Sequence, residues 1–406
     1  MTPLDIDRVR TDFPILQREV KGQPLTYLDS AATSQNPSAV LQATQEYYEE
    51  YNSNIHRGTH HLSQLATDRY ETARKTVAHF LNVTPEETIF TSGTTDSINT
   101  VATILGLSGR IQKEDTILLS HLEHHSNIVP WQLLAERVGC QIRVIPVLDN
   151  GTLDLDIYTA LLDESVKVVA FNHVSNAFGT INPVMQMIAQ AREVGAITVL
   201  DGAQSAPHGA LDLPAIGCDF YCFSGHKVYA PTGIGVLYGR RELLEALPPY
   251  KGGGEMIKEV TFEKTTYNDL PFKYEAGTPN IEGAIALGAA LNYLNQFDKT
   301  EVNAHEFALI QAGAKAVSAI PGATLYGPDD RIASLSFSID GIHHYDLGTL
   351  LDNMGVAVRT GHHCCQPLMA RFGITGTTRA SFAFYNTMED VERFAKALDR
   401  AVSMLR

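Results

Sequence analysis

The sequence has no run of lysine and arginine residues of the kind that binds a phosphate backbone. It contains 31 basic and 46 acidic residues, so its formal net charge is −15 at pH 7. Nucleic-acid binding is therefore not expected. No apolar run approaches the length of a membrane span, and we expect no membrane association. Residues 1–5 show no basic segment leading into an apolar stretch, so we also expect no signal peptide.

Cysteine is scarce, and its spacing is irregular. The five cysteines are Cys140, Cys218, Cys222, Cys364 and Cys365. An odd number without regular spacing does not suggest a disulfide framework. Free thiols are typical of a reducing compartment, so we expect a cytoplasmic protein.

Between residues 85 and 240, short β-branched runs alternate with helical patterns. Strands are predicted over residues 87–91, 116–120, 142–147, 166–172, 197–201, 220–224 and 233–238. Helices are predicted over residues 94–107, 128–138, 155–162 and 184–194, and an earlier helix is expected to begin at Pro37 and end near Tyr51. This alternation is typical of an α/β fold with a mostly parallel, helix-covered sheet.

The pattern changes after residue 280. Helices are predicted over residues 281–296, 301–319 and 389–404, with strands at 332–338 and 356–359. We expect a large domain over residues 26–280, and a smaller C-terminal α+β domain over residues 281–406. We expect residues 1–25 to form an N-terminal segment that packs on the smaller domain.

An aspartate and a lysine follow two of the predicted strands. Asp201 closes one strand, and Lys227 comes just after the strand at 220–224. Ligands of parallel sheets bind beyond the carboxyl ends of the strands. Pyridoxal phosphate needs a lysine that attaches it and a carboxylate that pairs with its ring nitrogen. Taken singly, Asp201 would be a turn residue and Lys227 a surface lysine; together they predict a cofactor site.

A Ser-Gly-Thr-Thr sequence at residues 92–95 supports that prediction. It follows a strand and opens a helix, and a helix N-terminus binds phosphate through free main-chain N–H groups. By itself such a turn would be weak evidence. With the aspartate and the lysine at neighbouring strand ends, it completes the set of groups that the cofactor needs.

A histidine follows another predicted strand. The ring of His124 could stack on a cofactor ring and also move protons. The simpler alternative is a helix cap, because Ser126 or Asn127 would be a good N-cap before Ile128. The two roles do not exclude each other, because His124 would take the first and a neighbouring residue the second.

Four possible metal ligands stand together at residues 362–365, His-His-Cys-Cys. Adjacent side chains point in different directions, so one tetrahedral ion could rarely use all four. A glycine-kinked loop with two small residues is one alternative, and a reactive thiol on a loop is another. A metal-binding or sulfur-scaffold protein without catalytic activity also stays open at this point.

The motifs at residues 201–204, 224–227 and 359–364 resemble those of class V, fold-type I pyridoxal-phosphate enzymes. They are most similar to those of the group II (Suf-type) cysteine desulfurases and selenocysteine lyases. The resemblance begins at residues 27–32 and continues through residues 274–280 into the C-terminal part. It implies the fold-type I transferase architecture, with a seven-stranded large domain, and pyridoxal 5'-phosphate as cofactor.

The resemblance also implies roles for individual residues. Those implied in cofactor binding are Lys227, Asp201, Gln204, His124, Thr94, Thr95, Ser224, His226 and Thr278. Those implied in substrate binding are Arg379, Asn176, His56 and Arg359. Catalysis would use Cys364, Lys227 and His124, and no metal. Thr278 would reach the phosphate of a partner subunit, and a hairpin within residues 252–269 would cover the neighbour's site, which implies a homodimer.

The activity implied is conversion of L-cysteine to L-alanine, with the sulfur passing to Cys364 as a persulfide. An acceptor protein of the SufE or SufU kind would then take the sulfur for iron–sulfur cluster assembly, and selenocysteine would be a second substrate. The alternative is another class V activity, a cystine or cysteine C–S lyase or an aminotransferase, although those reactions need no protein thiol. Cys365 stands where related sequences commonly carry a small residue, and we expect it to be inert.

Overall fold

The computed structural model describes residues 4–209 and 211–406; residues 1–3 of the expected N-terminal segment lie outside it. Its helices are α1 Ile6–Thr11, α2 Ser38–Glu46, α3 His61–Leu81, α4 Thr94–Leu107, α5 Val129–Val138, α6 Leu155–Leu161, α7 Val184–Glu193, α8 Leu213–Ile216, α9 Arg241–Ala246, α10 Ile281–Leu294, α11 Lys299–Ser318, α12 His344–Asn353, α13 Gln366–Arg371 and α14 Met388–Leu405. Within the described ranges, no helix has the length and apolar character needed to cross a membrane.

The strands are more numerous and shorter. They are β1 Glu19–Val20, β2 Gln23–Pro24, β3 Thr26–Tyr27, β4 Thr88–Thr91, β5 Thr116–Ser120, β6 Gln141–Ile145, β7 Val166–Asn172, β8 Ile197–Asp201, β9 Phe220–Ser224, β10 Gly235–Gly239, β11 Ile257–Val260, β12 Thr265–Tyr267, β13 Ala323–Tyr326, β14 Ser334–Ile339, β15 Val356–Ala357, β16 Arg359–Gly361 and β17 Thr377–Ser381.

Seven strands form the central sheet in the order β4-β10-β9-β8-β7-β5-β6. Strands β5 to β9 pair in parallel, and β10 runs antiparallel to both of its neighbours. The α/β fold with a mostly parallel seven-stranded sheet is therefore confirmed. Buried side chains occupy both faces of β7 and β9, which is why these strands read as apolar runs in the sequence.

The predicted helices of this region are confirmed to within two residues at each end, but the first residue of α2 was wrong. Pro37 precedes α2 as its N-cap and is not its first residue. The helical path continues to Tyr51 as a π-helical turn. The sequence analysis also did not assign α3, although it is 21 residues long. The buried residues of α3 include Ser63, three alanines and Arg74, which weaken its apolar periodicity.

A second sheet, of four strands in the order β13-β14-β17-β16, lies in the C-terminal part. Helices α11 and α12 pack on it, and α14 packs on both helices, with Phe394 of α14 against Phe337 of β14. The N-terminal part reaches this region through β3, which pairs in parallel with β15. Arg10 extends the contact, with a 2.8 Å ion pair to the buried Asp390. The division at residue 280 stays a prediction; α10, which follows it, packs on α2 and α3.

Phe13 ties the N-terminal segment to both parts of the chain. Its side chain is 0% exposed. The ring packs within 6.0 Å, centroid to centroid, of the rings of Tyr229, Tyr293, Phe384 and Tyr385. Aromatic clusters of this kind combine a large buried area with favourable edge contacts.

Replacing Phe13 should therefore destabilise the protein strongly. For Phe13→Ala we expect the free energy of unfolding to fall by about 3–5 kcal/mol, from lost burial and from the cavity left behind. Guanidinium unfolding followed by circular dichroism measures it. Met185→Ala is the control: that side chain is 61% exposed, and its loss should cost less than about 0.5 kcal/mol. Equal losses in the two variants would contradict this account.

Candidate active site

Turns at the carboxyl ends of the parallel strands enclose a cavity of about 160 Å³, closed on one side by residues of the C-terminal sheet. Eleven of the fourteen residues predicted for the site line it: Thr94, Thr95, His124, Asn176, Asp201, Gln204, Ser224, His226, Lys227, Arg359 and Arg379. The arrangement follows from the topology, because parallel strands end at a common edge.

Lys227 and Asp201 come from neighbouring strands. Asp201 is the last residue of β8, and Lys227 ends a single 3-10 turn that follows β9. Burial lowers the pKa of the Lys227 amine from 10.5 to about 8, although Asp201 opposes the shift. Burial also raises the pKa of Asp201, and the hydrogen bond from the Ala203 N–H, together with Lys227, offsets part of it. The site thus holds an amine that is partly neutral near physiological pH.

The start of α4 faces this pair. Gly93 is the N-cap, and the Thr94 N–H donates to Ser224 Oγ at 2.8 Å. The hydroxyls of Thr94 and Ser224 are also 2.8 Å apart. Nearby, His226 is held through its backbone oxygen, which accepts from the Ser34 N–H at 2.9 Å. Hydroxyls and a 14-residue helix N-terminus make this end of the cavity suited to a phosphate.

His124 lines the cavity with a neutral ring. Burial, with a contribution from Lys227, lowers the pKa of His124 to about 3. Its Nδ1 accepts from the Ser126 N–H at 3.1 Å. Since the neutral ring carries one proton, that proton lies on Nε2, where it can be donated.

The alternative helix cap at this turn was wrong. Ile128 precedes α5 as its N-cap, without a side-chain hydrogen bond. Asn127 instead binds inward, its Nδ2 donating to Glu123 and its Oδ1 accepting from Trp131 Nε1. Ser126 lies in a 3-10 turn that His124 itself caps. The residues that resembled a cap thus hold the turn that presents His124.

Glu123, to which the sequence analysis gave no role, is a buried carboxyl group beside the site, and its partner Asn172 lines the cavity. Its carboxyl group is fully buried, and it accepts hydrogen bonds from Ser120, Asn127 and Asn172. Burial raises the pKa of Glu123 to about 8, although these hydrogen bonds oppose the shift. The only sequence signal was a carboxylate directly before His124. Glu123 joins the ends of β5 and β7 beneath the cavity.

Arg379, in β17, closes the cavity from the C-terminal sheet. Its Nη2 forms a 3.0 Å ion pair with Asp29, and its Nη1 donates to the backbone oxygen of Asn176 at 2.8 Å. Its Nε is buried and has no hydrogen-bond partner among the described residues. Arg359 lies in β16, directly opposite Arg379 in the strand register. Two guanidinium groups at one wall suit a carboxylate ligand.

Cys364 lies on the loop between β16 and α13 and does not itself line the cavity. The preceding residue, His363, lines the cavity, and its Nε2 is 2.8 Å from Thr377 Oγ1. The backbone oxygen of Cys364 accepts from the His125 N–H at 2.8 Å, and its N–H donates to His362 Nδ1. Cys364 is partly exposed, and its thiol makes no hydrogen bond within the described residues. The loop is fixed while its thiol stays available.

Cys365 points the other way. Its side chain is 0% exposed, and its Sγ lies 3.2 Å from Asn176 Oδ1. Burial raises the pKa of Cys365 to about 12, so the thiol stays protonated. The metal alternative finds no support here, because the described residues contain no group of three or more His, Cys, Asp or Glu placed to hold a metal ion.

Two predicted site residues lie elsewhere on the same chain. His56 and Thr278 line a second pocket, together with Arg57 and Glu255. His56 is held there by Glu71 and Glu255, at 3.0 and 3.1 Å. Within one chain His56 does not line the pocket around Lys227, and its role in substrate binding stays a prediction. The ion pair with Glu255 joins parts of the sequence far apart, which a local motif does not reveal.

Comparison with known proteins agrees with this geometry. The sequence matches the class V aminotransferase family over residues 26–394. The chain belongs to that family. A cysteine desulfurase of Klebsiella pneumoniae is 49% identical over 98% of this chain and 99% of its own, and a probable cysteine desulfurase of Xylella fastidiosa is 49% identical over 100% of this chain and 97% of its own. The crystal structure of the Escherichia coli cysteine desulfurase CsdA superposes with a TM-score of 0.93, at 41% identity, covering 99% of both chains.

Class V enzymes of the cysteine desulfurase type use pyridoxal phosphate, and this cavity fits it. Three residues that line the cavity, His226, His363 and Arg379, each have one buried nitrogen with no partner among the described residues. Leaving such groups unpaired costs about 1–3 kcal/mol each, so a polar, anionic ligand would relieve part of this cost. Lys227, Asp201 and the start of α4 would hold the cofactor's aldehyde, ring nitrogen and phosphate.

The lowered pKa of Lys227 predicts how this class V enzyme takes up its cofactor. Only the neutral amine attacks an aldehyde, so covalent attachment to cofactor-free protein should speed up as pH rises, with half of the maximal rate near pH 8 and not near 10.5. Stopped-flow absorbance measures it. Asp201→Asn should move the midpoint to lower pH, because the carboxylate favours the charged amine. A midpoint near 10.5, or an upward move in Asp201→Asn, would refute the assignment.

Proposed function

We propose that this enzyme removes sulfur from L-cysteine, releases L-alanine, and carries the sulfur as a persulfide on Cys364. The observation that carries the proposal is the loop at residues 361–365. The loop is held through its backbone and through the His363 ring, while the Cys364 thiol is left free, directly after a residue that lines the cavity with Lys227 and Asp201. A thiol held in this way is suited to nucleophilic attack.

Arg379 would orient the substrate. Its positive charge is fixed by Asp29 and by the Asn176 carbonyl, which leaves Nε free for the substrate carboxylate. A guanidinium group held by other contacts loses little freedom when it binds a carboxylate. The Asn176 amide and Arg359 lie beside it. With the carboxylate bound at this wall, the rest of the amino acid extends toward Lys227.

Lys227 would act as the base. Its lowered pKa leaves a substantial neutral fraction, and a neutral amine at the cavity floor can take the proton from the substrate Cα. Pyridoxal phosphate, when bound there, supplies a ring that takes up the charge left on the substrate. Asp201, fixed by the Ala203 N–H, would keep that ring electron-poor.

Sulfur transfer would use Cys364 and His124. The deprotonated Cys364 sulfur attacks the substrate sulfur; the S–S bond forms as the Cβ–S bond breaks. The electron pair stays with the carbon fragment, which takes up a proton and leaves as L-alanine. His124 would relay that proton: Nε2 gives one up as Nδ1 takes one from the Ser126 hydroxyl, 2.8 Å away. The proton lost by the Cys364 thiol balances the exchange.

The remaining proposals concern partners and location. The partial exposure of Cys364 would let an acceptor protein of the SufE or SufU kind take the sulfur for iron–sulfur cluster assembly. Selenocysteine would be a second substrate, since selenium is the better leaving group. Five free cysteines suit a cytoplasmic enzyme.

A homodimer would give the second pocket a role. Thr278 and His56 do not line the Lys227 cavity in one chain, and they share their own pocket with Arg57. The nearby hairpin of β11 and β12 carries exposed apolar side chains, among them Val260 and Phe262. We propose that this face meets the active site of a second copy, where Thr278 would bind the phosphate.

Replacing Cys364 tests the proposed reaction. Cys364→Ala should bind cofactor normally and lose sulfur transfer from L-cysteine by at least about a hundredfold, because the nucleophile is gone. Alanine and persulfide are the products to measure. Cys140→Ala, another cysteine outside the cavity, should behave as wild type. Unchanged alanine formation in Cys364→Ala would disprove the role of Cys364, and pyruvate with ammonia as products would indicate a C–S lyase instead.

A further inference from the structure

The loop that carries Cys364 has an unfavourable backbone. His363 and Cys364 both have positive φ angles, 50° and 58°. This left-handed conformation is unfavourable for residues with a Cβ, and two in succession are unusual. Such a backbone persists only where surrounding contacts over-determine it. The contacts of this loop therefore decide where the Cys364 thiol lies.

One of those contacts comes from an amide. Asn176 Nδ2 donates to the backbone oxygen of His363 at 2.8 Å. The same residue, through its own backbone oxygen, accepts from Arg379 Nη1 at 2.8 Å. Asn176 thus connects the wall that would bind the substrate carboxylate with the loop that would attack the substrate sulfur. Its side chain and that of Cys365 are both buried.

The amide can serve the loop in only one of its two orientations. If it were turned over, Asn176 Oδ1 would face the His363 carbonyl, and two acceptors would repel each other. The only donor recorded for Oδ1 within the described residues is Cys365 Sγ, at 3.2 Å. A protonated thiol is a weak donor, but it has no water to compete with here.

We propose that Cys365 is a positioning residue for sulfur transfer, whose thiol fixes the Asn176 amide and thereby the backbone that presents Cys364. The inference rests on the proposed function and assigns a role to a thiol otherwise expected to be inert. Cys365 itself never touches the transferred sulfur. Its complete burial and raised pKa suit a donor, and they make it a poor nucleophile.

The test compares Cys365→Ala with Cys365→Ser. The alanine variant removes the donor, and the serine variant replaces it with a hydroxyl. Cys218→Ala is the matched control, because Cys218 is a buried thiol that does not line the cavity. Rates are expressed per cofactor-bound protein, so that a partly unfolded variant is not mistaken for one with a slower reaction. Alanine release gives kcat and KM, and the mass of the Cys364 peptide gives the rate of persulfide formation in one turnover.

For Cys365→Ala we expect kcat and the single-turnover rate to fall about tenfold, the effect of leaving one buried acceptor unpaired. KM for L-cysteine should change less than about twofold, because Arg379 keeps its contacts with Asp29 and with the Asn176 backbone. Cys365→Ser should recover most of the rate, and Cys218→Ala should match wild type. A merely structural loss would not be restored by serine.

A double-mutant cycle isolates the route of the effect. If Cys365 acts through Asn176, adding Cys365→Ala to Asn176→Ala should cause no further loss of kcat. If the double variant lost kcat by the product of the two single losses, the proposal would be overturned. A wild-type rate in Cys365→Ala, or no recovery in Cys365→Ser, would also overturn it. Failure of the proposed function would look different, because wild-type protein would then form no persulfide on Cys364.

Discussion

The site depends on the burial of an amine and a carboxyl group at adjacent strand ends. Lys227 and Asp201 could not be placed there singly at low cost, because an isolated buried charge is strongly unfavourable. Each moderates the pKa shift of the other, and the Ala203 N–H supports the carboxylate. The parallel pairing of β8 and β9 brings them together. An amine that is reactive near neutral pH is thus a property of the sheet and not of the lysine alone.

A second set of contacts places the groups that would bind and attack the substrate beside the cavity that holds Lys227 and Asp201. Arg379 and Thr377 lie on the same strand, β17; one faces Asn176 and Asp29, and the other binds the His363 ring. Substrate orientation and thiol presentation therefore share one strand of the C-terminal sheet. Any movement of that sheet relative to the central one would displace both together.

Much of the fold and the cavity could be predicted from the sequence, because those signals are local. The strands of the central sheet are buried apolar runs, and the residues at their ends follow directly in the chain. What the sequence did not reveal depends on contacts between distant segments. Arg74 was hidden because its partner, the buried Glu275, lies some two hundred residues away and makes a charged residue acceptable on the inner face of α3.

The turn at residues 123–127 shows the same limit. Ser126 and Asn127 are good capping residues by type, but Glu123 and Trp131 offer Asn127 buried partners that a local pattern does not include. His56 was placed near Lys227 by resemblance alone, and within one chain it lies in another pocket. The left-handed backbone at Cys364 likewise could not be predicted, since neither residue involved is glycine.

The most direct test of this account is where the sulfur is found after one turnover. Cofactor-bound protein, mixed with one equivalent of L-cysteine and then alkylated, is digested and the peptide spanning residues 362–366 is fragmented in a mass spectrometer. The account predicts one alanine released per site and one added sulfur atom on Cys364, with Cys365 unmodified because its thiol is buried and protonated. Added sulfur on Cys365, or alanine released with none on either residue, would contradict it.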